Sequence, residues 1–358
     1  MVPLAEVLRR HWPAYEPKFR ARLLPSHRRA VAAILSCRTP ALGGQLYRCA
    51  CGQEHYAYHS CNHRACPQCG HADTTQWLER QRSRLLPVPY YMVTFTVPAQ
   101  LRKIIRSNQK ILYPLLLGQS AAALADIGRD HKNFGAQIGC LTVLQTWTRD
   151  LRYHPHVHCI VPAGGLSADR LRWVRPKCDN YFLPEPALAM RLRTRLKKAL
   201  QQNHPQLFAQ IPAVAWSLAW VADVQPVGSG ESALKYLAAY VYRTAFSAQR
   251  ILSDDGQLIT FTYRESKSGK TQVLSLSPEA FLHRFLQHVV PKGFQRVRYF
   301  GWLSPAAKSR WERILALLDW KSPALAPHAP PPPPLCPTCN KPMALIGLLA
   351  RAPPTWKR

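Results

Sequence analysis

The amino-acid sequence predicts an α+β protein: a small metal-binding module, then a core of mixed strands and helices, then a proline-linked tail. Six cysteines crowd between Cys37 and Cys69, where large aliphatic residues are few, so this segment needs a metal to hold it together. The β-branched and aromatic run from Tyr90 to Val97 predicts a strand, and further strand and helix patterns follow it. Five prolines from Pro330 to Pro334 predict a stiff linker. We therefore predict three segments, over 1–86, 87–305 and 306–358.

The spacing of apolar residues predicts the individual elements in chain order. Residues 1–36 carry helical periodicity, and a helix over 74–86 is expected to stop before Pro87. A hairpin is expected over 258–276, with its turn near Ser268 and Gly269. The remaining predicted elements are helices over 99–128, 186–203, 231–243 and 278–290, and strands over 90–97, 138–148, 154–161 and 213–222.

The net charge of the chain indicates a polyanionic partner. Lys and Arg number 48 against 19 Asp and Glu in 358 residues, a formal charge of +29. A charge this large repels itself unless a polyanion neutralises it, and nucleic acid is the usual one. A cationic secreted protein or a membrane-surface protein is the alternative from charge alone. Because the basic runs alternate with apolar ones, the charge does not come from a disordered basic tail, and the sequence favours nucleic acid.

The N-terminal and apolar segments predict a cytosolic protein. The first twelve residues contain no apolar stretch typical of a signal peptide. The longest apolar runs, 111–117 and 343–350, are too short to span a bilayer, so no membrane partner is expected. In the cytosol cysteines stay reduced, and their clustering then favours a metal over disulfides.

The cysteine-rich module predicts at least one structural zinc site. Cys66 and Cys69 have the C-x-x-C spacing that lets two thiolates bind one tetrahedral Zn²⁺ from a tight turn. Cys49 and Cys51 are one residue closer than is usual, and they would complete a four-thiolate set with that pair. A second site, ordinary buried cysteines and a redox pair are the alternatives for the rest of the module. All the ligand candidates are Cys37, Cys49, Cys51, Cys61, Cys66 and Cys69, with His55, His63 and His71 among them.

A histidine-rich strand predicts a second kind of metal site. Alternation along a strand places His154, His156 and His158 on one face, where two imidazoles can chelate a divalent ion. By ligand type the ion could be Zn, Mn, Fe or Cu, whereas DNA cleavage favours Mg²⁺ or Mn²⁺, which neutralises charge on a phosphoryl oxygen. The third ligand is predicted to be Gln145, with His154 as the alternative. The alternative to a metal site is a polar strand edge with unrelated histidines.

The predicted helix over 231–243 carries two tyrosines that share a face. Tyr236 and Tyr240 are four residues apart, and Arg243 follows on that face, where it could hold a phosphate. A phenol can attack a phosphodiester, although its pKa of about 10 requires help from a metal or a base. Taken alone, the helix is also typical of an amphipathic helix whose tyrosine tips meet solvent. The presence of the histidine strand is what favours a catalytic role for these tyrosines.

These motifs, in this order, resemble the rolling-circle insertion-sequence transposases of the HUH endonuclease superfamily, in their two-tyrosine type with an N-terminal zinc-binding domain. The resemblance spans about residues 20–303, and a weaker match lies at Cys336 and Cys339. The ordered set is specific, whereas a lone HxH is not. The elements that carry it are Cys37-Arg-Thr, Cys49-x-Cys51-Gly, Ser60-Cys61-Asn-His-Arg64, Cys66-Pro-Gln-Cys69, Val93-Thr-Phe-Thr-Val-Pro98, His154-Pro-His156-Val-His158, Lys235-Tyr236-Leu-Ala-Ala-Tyr240, and the stretch from His288 to Gly301.

The resemblance implies a fold and a reaction. The fold is an HUH-type antiparallel sheet flanked by helices, with the histidines on a central strand and the tyrosine helix packed opposite. His156 and His158 are the implied metal pair, and Tyr236 and Tyr240 the implied nucleophiles. The reaction nicks and rejoins single-stranded DNA at element ends through a 5′-phosphotyrosine link, on bacterial nucleoid DNA. Ala65 stands where the family has histidine, which indicates fewer ligands in that module.

Basic residues of the zinc-binding segment are expected to meet phosphate groups. In this segment Arg64 is the DNA-contact candidate, and Arg243 is the candidate beside the tyrosines. Two other functions compete with the transposase. One is a zinc-dependent DNA-binding protein without catalysis, and the other is a histidine-metal phosphodiesterase that uses water and leaves no covalent adduct.

Overall fold

The computed structural model describes residues 2–69, 77–178, 182–241, 245–265, 268–324 and 332–352, and within these ranges it leaves out the side chains of 236–241 and 248. Its helices are α1 (Leu4–Phe19), α2 (Pro25–Ser36), α3 (Arg102–Ser107), α4 (Gln109–Arg129), α5 (Glu185–Asn203), α6 (Pro205–Ala209), α7 (Gly230–Val241), α8 (Pro278–Leu286) and α9 (Lys308–Leu317). Residues 77–82 are also helical.

The strands follow the same chain order. They are β1 (Gly44–Arg48), β2 (Glu54–Tyr58), β3 (Tyr90–Thr96), β4 (Cys140–Trp147), β5 (Tyr153–Pro162), β6 (Gly165–Leu166), β7 (Trp173–Val174), β8 (Val221–Pro226), β9 (Ile251–Asp254), β10 (Ile259–Arg264), β11 (Thr271–Leu276), β12 (Val297–Phe300) and β13 (Ala344–Leu349).

The chain forms two compact units, each built from separate stretches of sequence. The first, which we call the cysteine unit, comprises Met1–Asp73, Arg243–Val289 and Ala326–Arg358. The second, the sheet unit, comprises Thr74–Tyr242 and Val290–Leu325. These boundaries differ from the predicted segments 1–86, 87–305 and 306–358. The reason is long-range strand pairing, which joins the end of the chain to its beginning and which local patterns do not reveal.

The cysteine unit contains α1, α2, α8 and two small antiparallel sheets. One sheet has the order β13-β1-β2, and the other has the order β11-β10-β9. Strand β13 pairs with β1 from Gly44 opposite Leu349 to Arg48 opposite Ala344. The segment after the proline run is therefore part of this unit, because its strand forms one edge of a sheet whose central strand is β1.

The sheet unit is organised around a five-stranded antiparallel sheet with the order β12-β4-β5-β3-β8. The histidine strand, β5, is its central member. Side chains alternate across this sheet, so its two faces carry different residues. The structure confirms the expected α+β class, with an antiparallel sheet flanked by helices and the histidines on a central strand.

One face of the central sheet is mainly apolar. Val93, Phe95 and Val157 lie on this face and are fully buried. Helices α4 and α5 supply leucines to the same core. Of the described helices, α4 is long and apolar enough to cross a membrane by length and composition, and this composition fits its place in the core.

The other face is apolar at one end and polar at the other. Met92, Val143 and Ile160 form a second core with Ala233 and Leu234 of α7. Because side chains two residues apart share a face, Thr94, Gln145 and the histidines of β5 extend this same face. Helix α7 packs on β3, β4 and β5, so it covers the face that carries the histidines.

The prediction of a strand over 213–222 was wrong for most of this segment. The apolar run 213–222 is a short 3-10 turn over Ala213–Trp216, and β8 begins only at Val221. Trp216 stacks on Trp220 with ring centroids 5.8 Å apart, and the Trp220 indole N–H donates to the carbonyl of Ala215 at 3.1 Å. The two indoles thus bury themselves by folding this stretch back on itself, which an extended strand would not allow.

Candidate functional site

Three histidines of β5 project from one face of the central sheet. The ring centroids of His156 and His158 are 4.8 Å apart, and those of His154 and His156 are 5.3 Å apart. His156 and His158 are buried, with 8% and 6% of their surface exposed, whereas His154 is half-buried. The predicted pair thus lies together in a largely water-excluded position, with His154 at its more open edge.

Hydrogen bonds at Nδ1 orient both buried imidazoles. The Nδ1 of His156 lies 2.7 Å from the carbonyl oxygen of His154, to which it can only donate. The Nδ1 of His158 lies 3.0 Å from the hydroxyl of Thr94, which is opposite it on β3. Such bonds fix the ring plane and leave Nε2 as the ligand atom, as in protein metal sites generally.

Gln145 brings an amide oxygen to the same place. It lies directly opposite His156 in the β4–β5 register. Its Nε2 donates to the carbonyl of Trp147 at 3.2 Å, which turns its Oε1 to within 3.2 Å of the Nε2 of His158. Two imidazole nitrogens and one amide oxygen form a donor set that a divalent cation accepts. Of the two predicted third ligands, Gln145 brings a side-chain oxygen to the Nε2 of His158, whereas His154 contacts His156 through its backbone carbonyl.

The electrostatic setting keeps the two histidines neutral. Burial lowers the pKa of His156 to about 4. Burial, with the neighbouring His156, lowers the pKa of His158 to about 3. Neutral imidazole is the form that binds a metal, so both side chains are ready to act as ligands at neutral pH.

Two arginines surround the open edge of the histidine site. Burial lowers the pKa of His154, and the charges of Arg102 and Arg152 lower it further. The Nε of Arg102 is buried and has no hydrogen-bond partner among the described residues. Guanidinium groups near the predicted ligands suit an incoming phosphate oxygen. Sequence reasoning missed Thr94 and Arg102, because only the strand register and the packing of α3 bring them near β5.

Helix α7 contains both predicted nucleophiles, Tyr236 and Tyr240, but their side chains lie outside the described residues. Arg243, the predicted phosphate contact after them, also lies outside the described residues. The start of the helix packs closely against Leu85 and Tyr90 at Gly230. A Cβ there would lie 2.6 Å from Leu85 and 2.9 Å from the ring of Tyr90, so glycine allows this approach.

Within the described residues, two groups of four cysteines each bring their sulfurs within 4.8 Å of one another. The first group is local in sequence. In it Cys69 Sγ lies 3.4 Å from Cys37 Sγ and 3.5 Å from Cys61 Sγ. A hydrogen bond from Cys61 lowers the pKa of Cys66 to about 5. The members of this group are Cys37, Cys61, Cys66 and Cys69.

The second group joins the two ends of the chain. Its members are Cys49, Cys51, Cys336 and Cys339. Cys49 Sγ lies 3.3 Å from Cys339 Sγ, and Cys51 Sγ lies 3.6 Å from Cys336 Sγ. Backbone N–H groups of Cys339 and Thr338 hydrogen-bond the Cys336 sulfur and lower the pKa of this thiol to about 6.

This division corrects the predicted set of Cys49, Cys51, Cys66 and Cys69. Cys49 and Cys51 lie in the turn that joins β1 to β2, whereas Cys61 follows the far end of β2. Five residues of strand separate the two ends of this hairpin by about 17 Å, so the two pairs cannot share an ion.

Of the other ligand candidates, His55 and His63 join neither group. His63 is half-buried, and its Nδ1 accepts a hydrogen bond from the backbone N–H of Ala65 at 3.1 Å. His71 lies outside the described residues. The predicted DNA contact Arg64 is exposed in the turn between Cys61 and Cys66, where the first cysteine group fixes the backbone that carries it.

Two family models match this chain. One, described as a transposase zinc-binding domain, matches residues 7–97. The other, described as a putative transposase, matches residues 139–310. The first cysteine group lies inside the zinc-binding match, and its four thiolates are a common structural zinc set. The histidines of β5 and helix α7 lie inside the second match.

Individual relatives agree with the family models. A putative transposase of Sinorhizobium fredii is 35% identical over 319 residues, which cover 84% of this chain and 80% of the relative. The transposase for insertion sequence element IS801 of Pseudomonas savastanoi pv. phaseolicola is 29% identical over 292 residues, or 76% and 69% of the two chains. No solved structure matches this chain significantly.

Proposed function

Since the chain belongs to the IS91-type rolling-circle transposases with an N-terminal zinc-binding domain, we propose that it nicks and rejoins single-stranded DNA by tyrosine transesterification. The observation that carries this proposal is the shared sheet face. The histidine pair and helix α7, which contains Tyr236 and Tyr240, occupy the same face of the central sheet. A strand with candidate metal ligands and a phenol-bearing helix on one face suit a nicking reaction that uses a metal ion and a tyrosine.

The divalent cation of this reaction would be held by three side chains. The Nε2 atoms of His156 and His158 and the Oε1 of Gln145 are its proposed ligands, with Thr94 orienting His158. Bound Mg²⁺ or Mn²⁺ would polarise the scissile phosphate and neutralise the charge that develops on it. With three protein donors, positions stay open for substrate oxygens.

The covalent step would exchange one phosphodiester for another. The phenolic oxygen of Tyr236 or Tyr240 loses its proton and attacks phosphorus, and the bond from phosphorus to the 3′ oxygen breaks. The 3′ oxygen takes up a proton and leaves as a free hydroxyl, while the 5′ phosphate stays on the tyrosine. Attack by a 3′ hydroxyl on the phosphotyrosine reverses the step and rejoins DNA, so no external energy source is needed.

Binding of the strand would rest on the positive charge. The chain carries +29, and phosphate contacts supply most of the affinity of such proteins for DNA. Arg102 and Arg152 lie beside the histidine site, whereas Arg64 and Arg243 are proposed contacts elsewhere. We propose that the reaction takes place on DNA in the bacterial cytoplasm.

A covalent-adduct assay tests this function. Purified protein is incubated with labelled single-stranded DNA from element ends and Mn²⁺ or Mg²⁺, then denatured and separated by size. The variants are Tyr236→Phe, Tyr240→Phe, the double variant and His156→Ala. We expect a metal-dependent adduct that disappears in the double variant and in His156→Ala. The single variants show whether one phenol suffices.

Other outcomes separate the competing functions. Cleavage without an adduct would indicate a hydrolase that uses water. Tight binding of the same DNA with neither cleavage nor adduct would indicate a zinc-dependent DNA-binding protein without catalysis.

A further inference from the structure

The second cysteine group is built from two turns at one end of the small sheet of the cysteine unit. Cys49 and Cys51 lie in the turn between β1 and β2, and Cys336 and Cys339 lie in a turn that precedes β13. Strand β13 begins with Ala344 opposite Arg48, the last residue of β1. The pairing of β13 with β1 thus brings the two turns together.

The sulfur geometry fits a single tetrahedral ion. With zinc–sulfur bonds of about 2.3 Å, the edges of a tetrahedron of thiolates are ~3.8 Å long. The sulfur–sulfur distances in this group are 3.3 Å from Cys49 to Cys339, 3.6 Å from Cys51 to Cys336 and 3.8 Å from Cys51 to Cys339. Disulfide sulfurs lie ~2.0 Å apart, so this arrangement is that of four separate ligands.

The surrounding backbone is preorganised for these ligands. The amide of Cys336 donates to the carbonyl of Lys341, and the amide of Asn340 donates to that of Cys336, both at 2.8 Å. These bonds close a tight loop around the C-x-x-C pair. Cys49 and Cys336 are almost fully buried and pack with Met343 in a small core. The four sulfurs are therefore held in place by two ordered turns and a shared apolar base.

We propose that Cys49, Cys51, Cys336 and Cys339 bind a second structural zinc ion, which fastens the C-terminal segment to the N-terminal hairpin. Cys336 and Cys339 lie outside both family matches, over 7–97 and 139–310. The zinc-binding part of this transposase is then assembled from both ends of the chain. Without this ion, the C-terminal segment is held by the backbone pairing of β13 with β1 and by the small core around Met343.

The test combines zinc analysis with alkylation of the full-length protein. Cys51 and Cys178 are both exposed, and only Cys51 belongs to a cysteine group. Zinc-bound thiolates react slowly, so brief iodoacetamide treatment of the zinc-loaded protein is expected to modify Cys178 and spare Cys51. Removal of zinc with a chelator should make both react. Elemental analysis should find two zinc ions per chain.

Cysteine variants provide the second part of the test. The double variant Cys336→Ser with Cys339→Ser is expected to keep one zinc ion and to expose Cys51 to alkylation, whereas Cys178→Ser keeps two. Two zinc ions in the double variant, or one in the wild type, would overturn the proposal. Equal alkylation of Cys51 and Cys178 in the zinc-loaded wild type would also overturn it, and this result does not depend on the folding of any variant. A stoichiometric metal other than zinc in the elemental analysis would overturn it as well.

Discussion

The cysteine groups and the proposed histidine site place candidate metal ligands in opposite surroundings. Each cysteine group offers four thiols, which saturate a tetrahedral ion and leave no position for a substrate. The histidine site offers two neutral imidazoles and one amide oxygen from two neighbouring strands. Ligand number and charge thus separate a site that stabilises a fold from one that is open to a reactant.

The two kinds of site also differ in the backbone structure that positions their side chains. The cysteines lie in turns, and the metal itself stabilises those turns. The histidines lie on the central strand of a five-stranded sheet, whose packing does not require an ion. We therefore expect loss of the ligands to affect stability in one case and chemistry in the other.

Removal of a histidine ligand should have the largest effect. His156→Ala or His158→Ala is expected to lower the nicking rate about a thousandfold, close to 4 kcal/mol of transition-state stabilisation. Melting temperature and zinc content should change little. The matched control is His131→Ala, an exposed histidine of the sheet unit. Nicking at the wild-type rate by either variant would exclude these residues as ligands.

Removal of a cysteine ligand should act on stability. Cys66→Ser is expected to lose one zinc ion and to lower the free energy of unfolding by about 3 kcal/mol or more. Elemental analysis and denaturant unfolding measure both effects, with Cys178→Ser as the control. Mn²⁺ binding at the histidine site should survive in the folded fraction. An unchanged zinc content would show that Cys66 is not a ligand.

Acidification should distinguish the buried histidine pair from a pair of ordinary histidines. An ordinary histidine has a pKa of about 6.5, so at pH 5.5 proton competition would weaken a two-histidine site about a hundredfold. Because the pKa values of His156 and His158 are about 4 and 3, Mn²⁺ affinity should fall less than about threefold between pH 7.5 and 5.5. Titration calorimetry at both pH values measures it, and a hundredfold fall would contradict the burial argument.

The same shift fixes the direction of the stability change. Below pH 6.5 the unfolded chain takes up protons on these histidines, while the folded chain does not until about pH 4. The metal-free protein should therefore lose stability as the pH falls from about 6.5 towards 4, and this contribution should be constant above that range.

A change in the residue behind His158 should have a smaller effect than loss of His158 itself. Thr94→Val removes the hydroxyl at the Nδ1 of His158 and is expected to weaken Mn²⁺ binding by roughly 10–100-fold. Thr94→Ser keeps the hydroxyl and should bind nearly as tightly as the wild type. Equal losses in the two variants would point to packing rather than to the hydrogen bond.

The sequence predicts what depends on local pattern. Alternation along β5 is enough to place His156 and His158 on one face, and the aromatic and β-branched run predicts β3. Periodicity of three and four predicts α7 around the tyrosines. Gln145 follows because it lies on the preceding strand.

What the sequence did not predict depends on long-range pairing. The partners of Cys49 and Cys51 follow 285 residues or more later in the chain, and only the β1–β13 register brings them together. Thr94 meets His158 through the β3–β5 register. The spacing of residues within one segment of the sequence cannot reveal either contact.

Tyrosine transesterification is tested most directly by identifying the residue that carries the DNA. Trypsin cuts after Lys235 and Arg243, so Tyr236, Tyr240 and Tyr242 fall in one peptide. Nuclease-trimmed adduct from the wild type would be digested and fragmented in a mass spectrometer. We predict a nucleotide 5′-phosphate on Tyr236 or Tyr240. A nucleotide on any other residue would contradict the assignment of the nucleophile, and the absence of a modified peptide from a strand-cleaving preparation would contradict tyrosine transesterification itself.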